Sequence, residues 1–292
     1  MGLFVNVTLN GVASGMIFAA VALSLVFIYR ATRVVNFAQG AMGMLTTFIA
    51  FSLLSAGLGY WVAFAAALAI GLVLGAVVER ILIRPLQGKP EINPVIVTIG
   101  LLVVLEGVAG SIWGNSSRGF SPAFSQSGLS IGQTRIAFSQ FDLFIVGAVL
   151  ALMLATWAMF RATGIGLRMR ASAFAPEVAR LLGVRVGRLM TLGWAIAAAV
   201  GSLAALLVAP TTSFSPYFMD LPLVFGFTAA VIGGLDSLPG ALIGGLVTGL
   251  AVSYVGGYLG SSLEPLGALA LLMVALMARP RGLFAPAQGR RV

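Results

Sequence analysis

Nine apolar runs divide this chain and leave it few ways to fold. They lie near 5–29, 40–57, 61–83, 95–114, 142–160, 189–209, 222–235, 238–258 and 263–279. A helix needs ~20 apolar residues to cross the hydrocarbon of a bilayer. In that solvent every backbone polar group must be satisfied internally, so only helices or closed barrels cross it. The runs are continuous and do not alternate, which selects helices. The seventh is short for a full crossing. It reads either as a span or as a re-entrant helix buried in protein.

The composition agrees. Hydrophobic residues make up 60% and charged residues 9% of 292. No soluble domain of that length hides so much apolar surface. The charge that remains sits between the runs. If Arg30 and Arg33 are inside, alternation of nine spans puts fifteen of the seventeen basic residues on the same side, with only Arg118 and Arg135 outside. The bias predicts an outer N-terminus and a cytoplasmic C-terminus. It also accounts for the net charge of +9 without invoking nucleic acid. The first run has no basic flank before it and is too long for a signal peptide, so it is expected to remain as a span.

Several chemistries are excluded. The chain has no cysteine and no histidine. Disulfides, thiol nucleophiles, the commonest metal ligand and the commonest general base are all absent. Lys89 follows Gly88, but Pro90 comes next and no glycine stands at 83, so no P-loop cradles ATP phosphates. GLSIG at 128–132 fits a GxSxG pattern. Without histidine it has no triad, and it reads as polar loop.

The segment 161–188, RATGIGLRMRASAFAPEVARLLGVRVGR, carries six arginines between two apolar regions. Pro176 suits the first position of a helix, and Glu177 follows where the helix dipole favours an anion. Gly183 suits a left-handed stop. The expected element is a short helix over about 176–182. Phe174, Val178, Leu181 and Leu182 share one apolar side, while Arg180 and Arg185 lie off it or beyond its end. Such a helix either lies on the bilayer surface or docks in a groove of a soluble partner.

Polar residues inside the runs are the candidates for a solute path. Asn6, Asn10 and Ser14 recur every four residues and share a helical face. Asn36 and Gln39 sit at a membrane boundary, near Gly40 and Gly43. Each reads either as interhelical hydrogen bonding or as the wall of a polar path. Glu106 lies mid-run, where an ionisable group is expensive. It is either a packed, hydrogen-bonded carboxyl or a path residue that meets a substrate ammonium. The loops 115–141 and 210–221 read as solvated outer segments, the second with Asp220 as its only charge. Glu79 and Arg80 are expected to pair locally at the membrane face.

The stretch 226–267 holds eleven glycines. Pairs such as Gly240/Gly244 and Gly245/Gly249 let helices approach closely. Gly233, Gly234, Pro239, Gly240, Gly244 and Gly245 are therefore assigned to helix packing.

Five stretches together resemble the permease subunits of bacterial ABC importers of the branched-chain amino-acid type. NFAQG (36–40) and the basic ERILIRPLQGKP (79–90) stand where that family has an NFAxG signature and a basic loop. GGLDSLPGALIGG (233–245) is similar to the family's GGLGSLPGAxxGG, with Asp236 in place of a glycine, and ARPRGLF (278–284) is similar to its RPxGLF tail. RA…EVARLLGV resembles the family's coupling loop, with Ala175-Pro176 standing where polar or acidic residues are frequent. The resemblance implies an all-α polytopic bundle of about eight to nine spans, a single permease domain over 1–292 in the bacterial inner membrane. It implies that Phe174, Glu177, Val178, Ala179, Arg180, Leu181, Leu182 and Gly183 form the coupling element. It further implies a second permease chain (similar or identical), two cytoplasmic ATPases that bind the ATP, and a periplasmic binding protein that delivers the solute. The permease itself would hold no cofactor and no metal and catalyse no reaction. A stand-alone secondary transporter or channel is the rival class. It would want intramembrane carboxylates for ion coupling, and Glu106 alone is clearly placed for that. An intramembrane enzyme lacks the residues it would need.

Overall fold

The computed structural model of the protein describes residues 2–90, 92–131, 134–279 and 282–284. Its centre is helix α1 (Gly2–Thr32), about 46 Å long at the usual rise per residue. From Gly15 to Ile28 it is buried on every side. A helix that is apolar all round has no solvent face to present and belongs in a core. Three helices enclose it: α8 (Val186–Val208), α9 (Asp220–Gly233) and α10 (Leu238–Leu259).

The contact between α1 and α10 is a seam of small residues. A Cβ on Gly249 would meet the Gly15 backbone, and one on Gly245 would come within 2.5 Å of Ala19 Cβ. On the other side, a Cβ on Gly11 would lie 3.0 Å from Leu250 Cα. Apolar helices gain nothing from one another over lipid tails unless their backbones come close, and small residues permit that. The same device joins α3 (Tyr60–Val78) to α8, where Gly75 abuts the Trp194 carbonyl and Gly71 abuts Ser202. Helix α2 (Gln39–Ser55) joins α8 through Gly43, 2.6 Å from the Gly201 oxygen for an added Cβ. Gly233 and Gly240 face each other backbone to backbone, Gly244 abuts the Ala229 carbonyl, and Gly234 makes a left-handed turn at φ 97°.

Around this core stand α4 (Ile92–Trp113), α5 (Gln140–Ala162) and α11 (Glu264–Ala278). They expose large apolar side chains such as Val103, Leu154 and Met277. That is the surface expected against lipid or another membrane chain. Among the described residues seven helical stretches are long and apolar enough to cross a membrane. Helices α2 and α9, with 17 and 14 residues, are the shorter apolar pair. The second and seventh sequence runs correspond to them.

Two expectations for the outer loops need correction. Within 115–141 lies an antiparallel hairpin, β1 (Gly128–Ile131) with β2 (Thr134–Ser139). Asn6 Oδ1 accepts from Ala137 N, and Ser139 and Asp142 form a reciprocal cap at the start of α5. The GLSIG pattern runs into this hairpin. The loop 210–221 is not simply solvated either. Phe214 is fully buried and meets Phe48 at 4.2 Å, Phe218 at 5.2 Å and Phe120 at 5.5 Å between ring centroids. Aromatic side chains bury enough area to hold a loop without regular structure. Single phenylalanines among serines gave no periodic signal.

The seam predicts a sharp contrast between glycines. Gly249→Leu drives a side chain into the α1 backbone and is expected to cost more than the ~1–3 kcal/mol of ordinary overpacking. Gly107 of α4 has open space where a Cβ would go, so Gly107→Ala should be neutral or stabilise by up to about 1 kcal/mol. Thermal unfolding of both variants in detergent checks the ranking.

Candidate functional site

The arginine-rich segment folds as two short helices, α6 (Gly164–Phe174) and α7 (Pro176–Leu181). The Thr163 hydroxyl caps α6 by accepting from Gly166 N. The expected stop for α7 is present. Gly183 has φ 80°, Val184 N donates to Ala179 O at 2.9 Å, and Gly183 N donates to Arg180 O at 3.0 Å. This paired arrangement is the Schellman cap that glycine makes cheap. A six-residue helix does not stand alone in water. Ala179 faces inward at 3% exposure, whereas Phe174, Leu181 and Leu182 are 89%, 88% and 78% exposed. Val178, Glu177 and Arg180 are exposed as well. The apolar side read from the sequence thus points away from the bundle. The eleven-residue helix α6 was not legible as a helix, because its arginines and glycines give no apolar stripe.

What holds this segment is a polar network at its exit. Glu79 is fully buried and receives Arg84 Nη2 at 2.9 Å and Nε at 3.2 Å. The same Nη2 donates to the Gly187 carbonyl at 2.9 Å and meets Thr191 Oγ1 at 2.6 Å, and Thr191 donates to Glu79 at 2.8 Å. The expected local partner, Arg80, is not the one used. Residues Glu79–Ile83 form a π turn, with Arg84 N bonded to Glu79 O. An i to i+5 winding puts residue 84 over residue 79. The C-terminal turn of α3 is thereby tied to the first turn of α8.

A second ion pair lies across the same end of the bundle. Arg33, between α1 and α2, donates from Nη1 to Asp236 Oδ1 at 2.7 Å and Oδ2 at 2.8 Å. Partial burial works against the charge on Arg33, but its bonds to Asp236 and Tyr29 outweigh this and raise its pKa above the ordinary value. Arg33 holds a left-handed φ of 59°, the sole non-glycine to do so among the described residues. That conformation costs about 1–2 kcal/mol, more than an exposed ion pair ordinarily returns. Asp236 lies in the α9–α10 turn, so the pair reaches from the end of the central post to the glycine-rich crossing. The tail reaches the same place. Leu283 N and Phe284 N donate to the Ile232 and Gly233 carbonyls that end α9. The GLF of the tail thus satisfies the open carbonyls of a short helix.

The path candidates do not gather at one point. Asn36 and Gln39 are 0% and 1% exposed. Asn36 Nδ2 donates to Gln39 Oε1, and Gln39 Nε2 donates to the Ala197 carbonyl at 2.8 Å. They clasp the start of α2 to α8. Asn10 is exposed near the start of α1, and Ser14, a turn further, is half-buried. Glu106 is half-buried on α4, with its carboxyl near that of Asp220 at the start of α9. Sequence reading left Asp220 as a loop charge. Its pairing with a residue more than a hundred positions away had no local signal.

The comparisons with known proteins agree over nearly the whole chain. A family described as "Branched-chain amino acid transport system / permease component" matches residues 7–278. The chain is 28% identical over 290 residues to the high-affinity branched-chain amino acid transport permease BraD of Pseudomonas aeruginosa, covering 94% of both chains. It is 28% identical over 296 residues to LivH of Escherichia coli K12, covering 96% of this chain and 95% of that one. The ribose import permease RbsC of Escherichia coli K12 is 29% identical over 241 residues, covering 79% of this chain and 71% of that one.

The Glu79–Arg84 pair should respond asymmetrically to truncation. Arg84→Ala leaves a carboxylate buried without its cation and is expected to cost about 3–5 kcal/mol. Glu79→Gln keeps the shape and leaves a half-exposed arginine to water, for about 1–3 kcal/mol. Denaturation midpoints of the two variants in the same detergent give the comparison.

Proposed function

The chain belongs to the family of branched-chain amino acid transport permease components, and from that premise we propose how its parts divide the work of an ABC importer. It forms one permease domain in the inner membrane, with the N-terminus outside and the arginine-rich end in the cytoplasm. It pairs with a second, similar permease across the apolar faces that the outer helices expose. Two ATPases dock from the cytoplasm, and a binding protein delivers solute to the outer hairpin and the Phe214 loop. The solute is an amino acid with an aliphatic side chain. ATP is bound and hydrolysed by the ATPases, and this chain supplies no catalytic group.

One observation supports the docking site above the others: the outward apolar side of α6–α7. Phe174, Val178, Leu181 and Leu182 project from the side of the bundle where most of the arginines lie. Four exposed apolar side chains on a short helix suit a groove of a soluble partner. Glu177 and Arg180 beside them would set register. The polar network at Glu79, Arg84 and Thr191 makes the link stiff, so a shift of the segment moves α3 and α8 together. The bundle then has two states, and docking biases the equilibrium between them.

For the solute path we assign Glu106, with Asn10 and Ser14 on the outer half of α1. A carboxyl partly open on α4 and close to Asp220 suits an ammonium group. Asn36 and Gln39 act on the path indirectly, by fixing where α2 begins. The rival reading of a stand-alone transporter is set aside, because the family is that of a transport system's permease component.

Two experiments test these roles. Leu182→Ala removes a leucine that docking would bury, worth about 1.5–3 kcal/mol, so ATPase association should weaken roughly 10–100-fold. Co-purification from native membranes measures this, and retention of the ATPases in a Leu181→Asp/Leu182→Asp double variant would move the docking site elsewhere. Glu106→Gln should raise KM for uptake about tenfold in reconstituted vesicles. An unchanged KM removes Glu106 from the path.

A further inference from the structure

Behind the outward face of α7 lies a cavity of about 350 Å³, at the small end of the range for ligand sites. Its walls come from four separate parts of the chain: the end of α1, the turn after α3, the start of α4, and α6–α8. The rim carries both signs of charge. Arg33, already held by Asp236, lines it, and Lys89 and Arg180 stand there with Glu177. Among the described residues neither Lys89 nor Arg180 forms an ion pair. The floor is apolar, formed by Ile83, Leu86 and Met190. Ser172 also lines the cavity at 7% exposure, and its hydroxyl has no hydrogen-bond partner among the described residues. A buried hydroxyl left unpaired costs about 1–3 kcal/mol, which a ligand oxygen would recover.

We propose that this cavity binds a small zwitterion with an aliphatic side chain, and that its occupant restrains the coupling segment. The charge pattern selects the class. A simple anion would leave Glu177 facing it, and an apolar molecule would leave three charges unmatched. A zwitterion places its carboxylate toward Lys89, Arg180 and the Ser172 hydroxyl, its ammonium toward Glu177, and its side chain on the floor. Free α-amino acids of the leucine type have this form. The walls include Glu177 and Arg180 of α7 together with Lys89 of the α3–α4 turn, so a ligand bridging them ties α7 to the bundle. If docking requires α7 to shift, occupancy opposes it by linkage. The regulatory meaning rests on the importer reading above. The ligand would then be the product of transport, and the site would slow import as cytoplasmic product rises.

The test uses the assembled importer, permeases with ATPases, in nanodiscs without the external binding protein. The probe is tritiated L-leucine. N-acetyl-leucine, lacking the ammonium, and leucinamide, lacking the carboxylate, serve as competitors. Wild-type complex should bind leucine, and each competitor should displace it at least tenfold less well than leucine itself. Lys89→Gln should weaken binding at least tenfold and leave leucine-free ATP hydrolysis within twofold. Leucine should slow hydrolysis in the wild type and not in Lys89→Gln. Equal binding by wild type, Lys89→Gln and a cavity-filling Met190→Trp overturns the proposal, as does equal competition by all three compounds. A parallel uptake assay with the binding protein separates the two readings. Leucine uptake without cavity binding removes the site and leaves the importer. Cavity binding without amino-acid uptake leaves the site and removes the transport reading.

Discussion

The close approach of α1 to α10 is the contact on which the rest of the bundle depends. Lipid tails compete with side chains for every apolar surface, so burial alone does not hold two membrane helices together. Backbone proximity does, through dispersion contacts that lipid cannot match. Gly11 and Gly15 on α1, facing Gly245 and Gly249 on α10, supply it. With α10 fixed, α9 crosses it at Gly233 and Gly240, and α8 closes the other side of α1. The lipid-facing helices then attach to a core that is already complete.

Polar contacts play a different part. They are few and lie mostly at the ends of the helices, where water can serve an unmatched group. At one end Glu79, Arg84 and Thr191 join the close of α3 to the opening of α8, and Arg33 reaches Asp236 across the α9–α10 turn. Both contacts flank the segment carrying α6 and α7. At the other end the aromatic cluster around Phe214 closes the bundle. The protein is thus stiff through its middle and joined at one end by a small set of directional bonds. Packed cores switch between arrangements and do not bend continuously.

Much of this was legible in the chain. The apolar runs gave the helices, and 3.6-residue spacing gave the outward face of α7. Pro176 and Gly183 gave its two ends to within a residue. The small-residue pairs near 240–249 announced a packing seam, although nothing in them named α1 as the partner. The α6 helix was hidden because its stripe is not apolar. The hairpin at 128–139 was hidden because its segments are short and polar. The Phe214 loop was hidden because isolated aromatics in a serine-rich stretch have no period. Glu79 was expected to pair with a neighbour. Only the π turn made that neighbour Arg84.

Sequence by itself determined the solvent, the secondary structure of the core and the family. Each of these depends on local composition or short motifs, which the chain carries wherever it folds. Tertiary structure decided which residues meet. It brought Asp220 to Glu106, Asp236 to Arg33, the tail carbonyl partners Leu283 and Phe284 to α9, and Lys89 to the cavity beside Glu177 and Arg180. These partners are separated by tens to hundreds of positions. Their meeting follows from how helices cross, and crossing is set by the shape of whole surfaces, which no local pattern in the chain records.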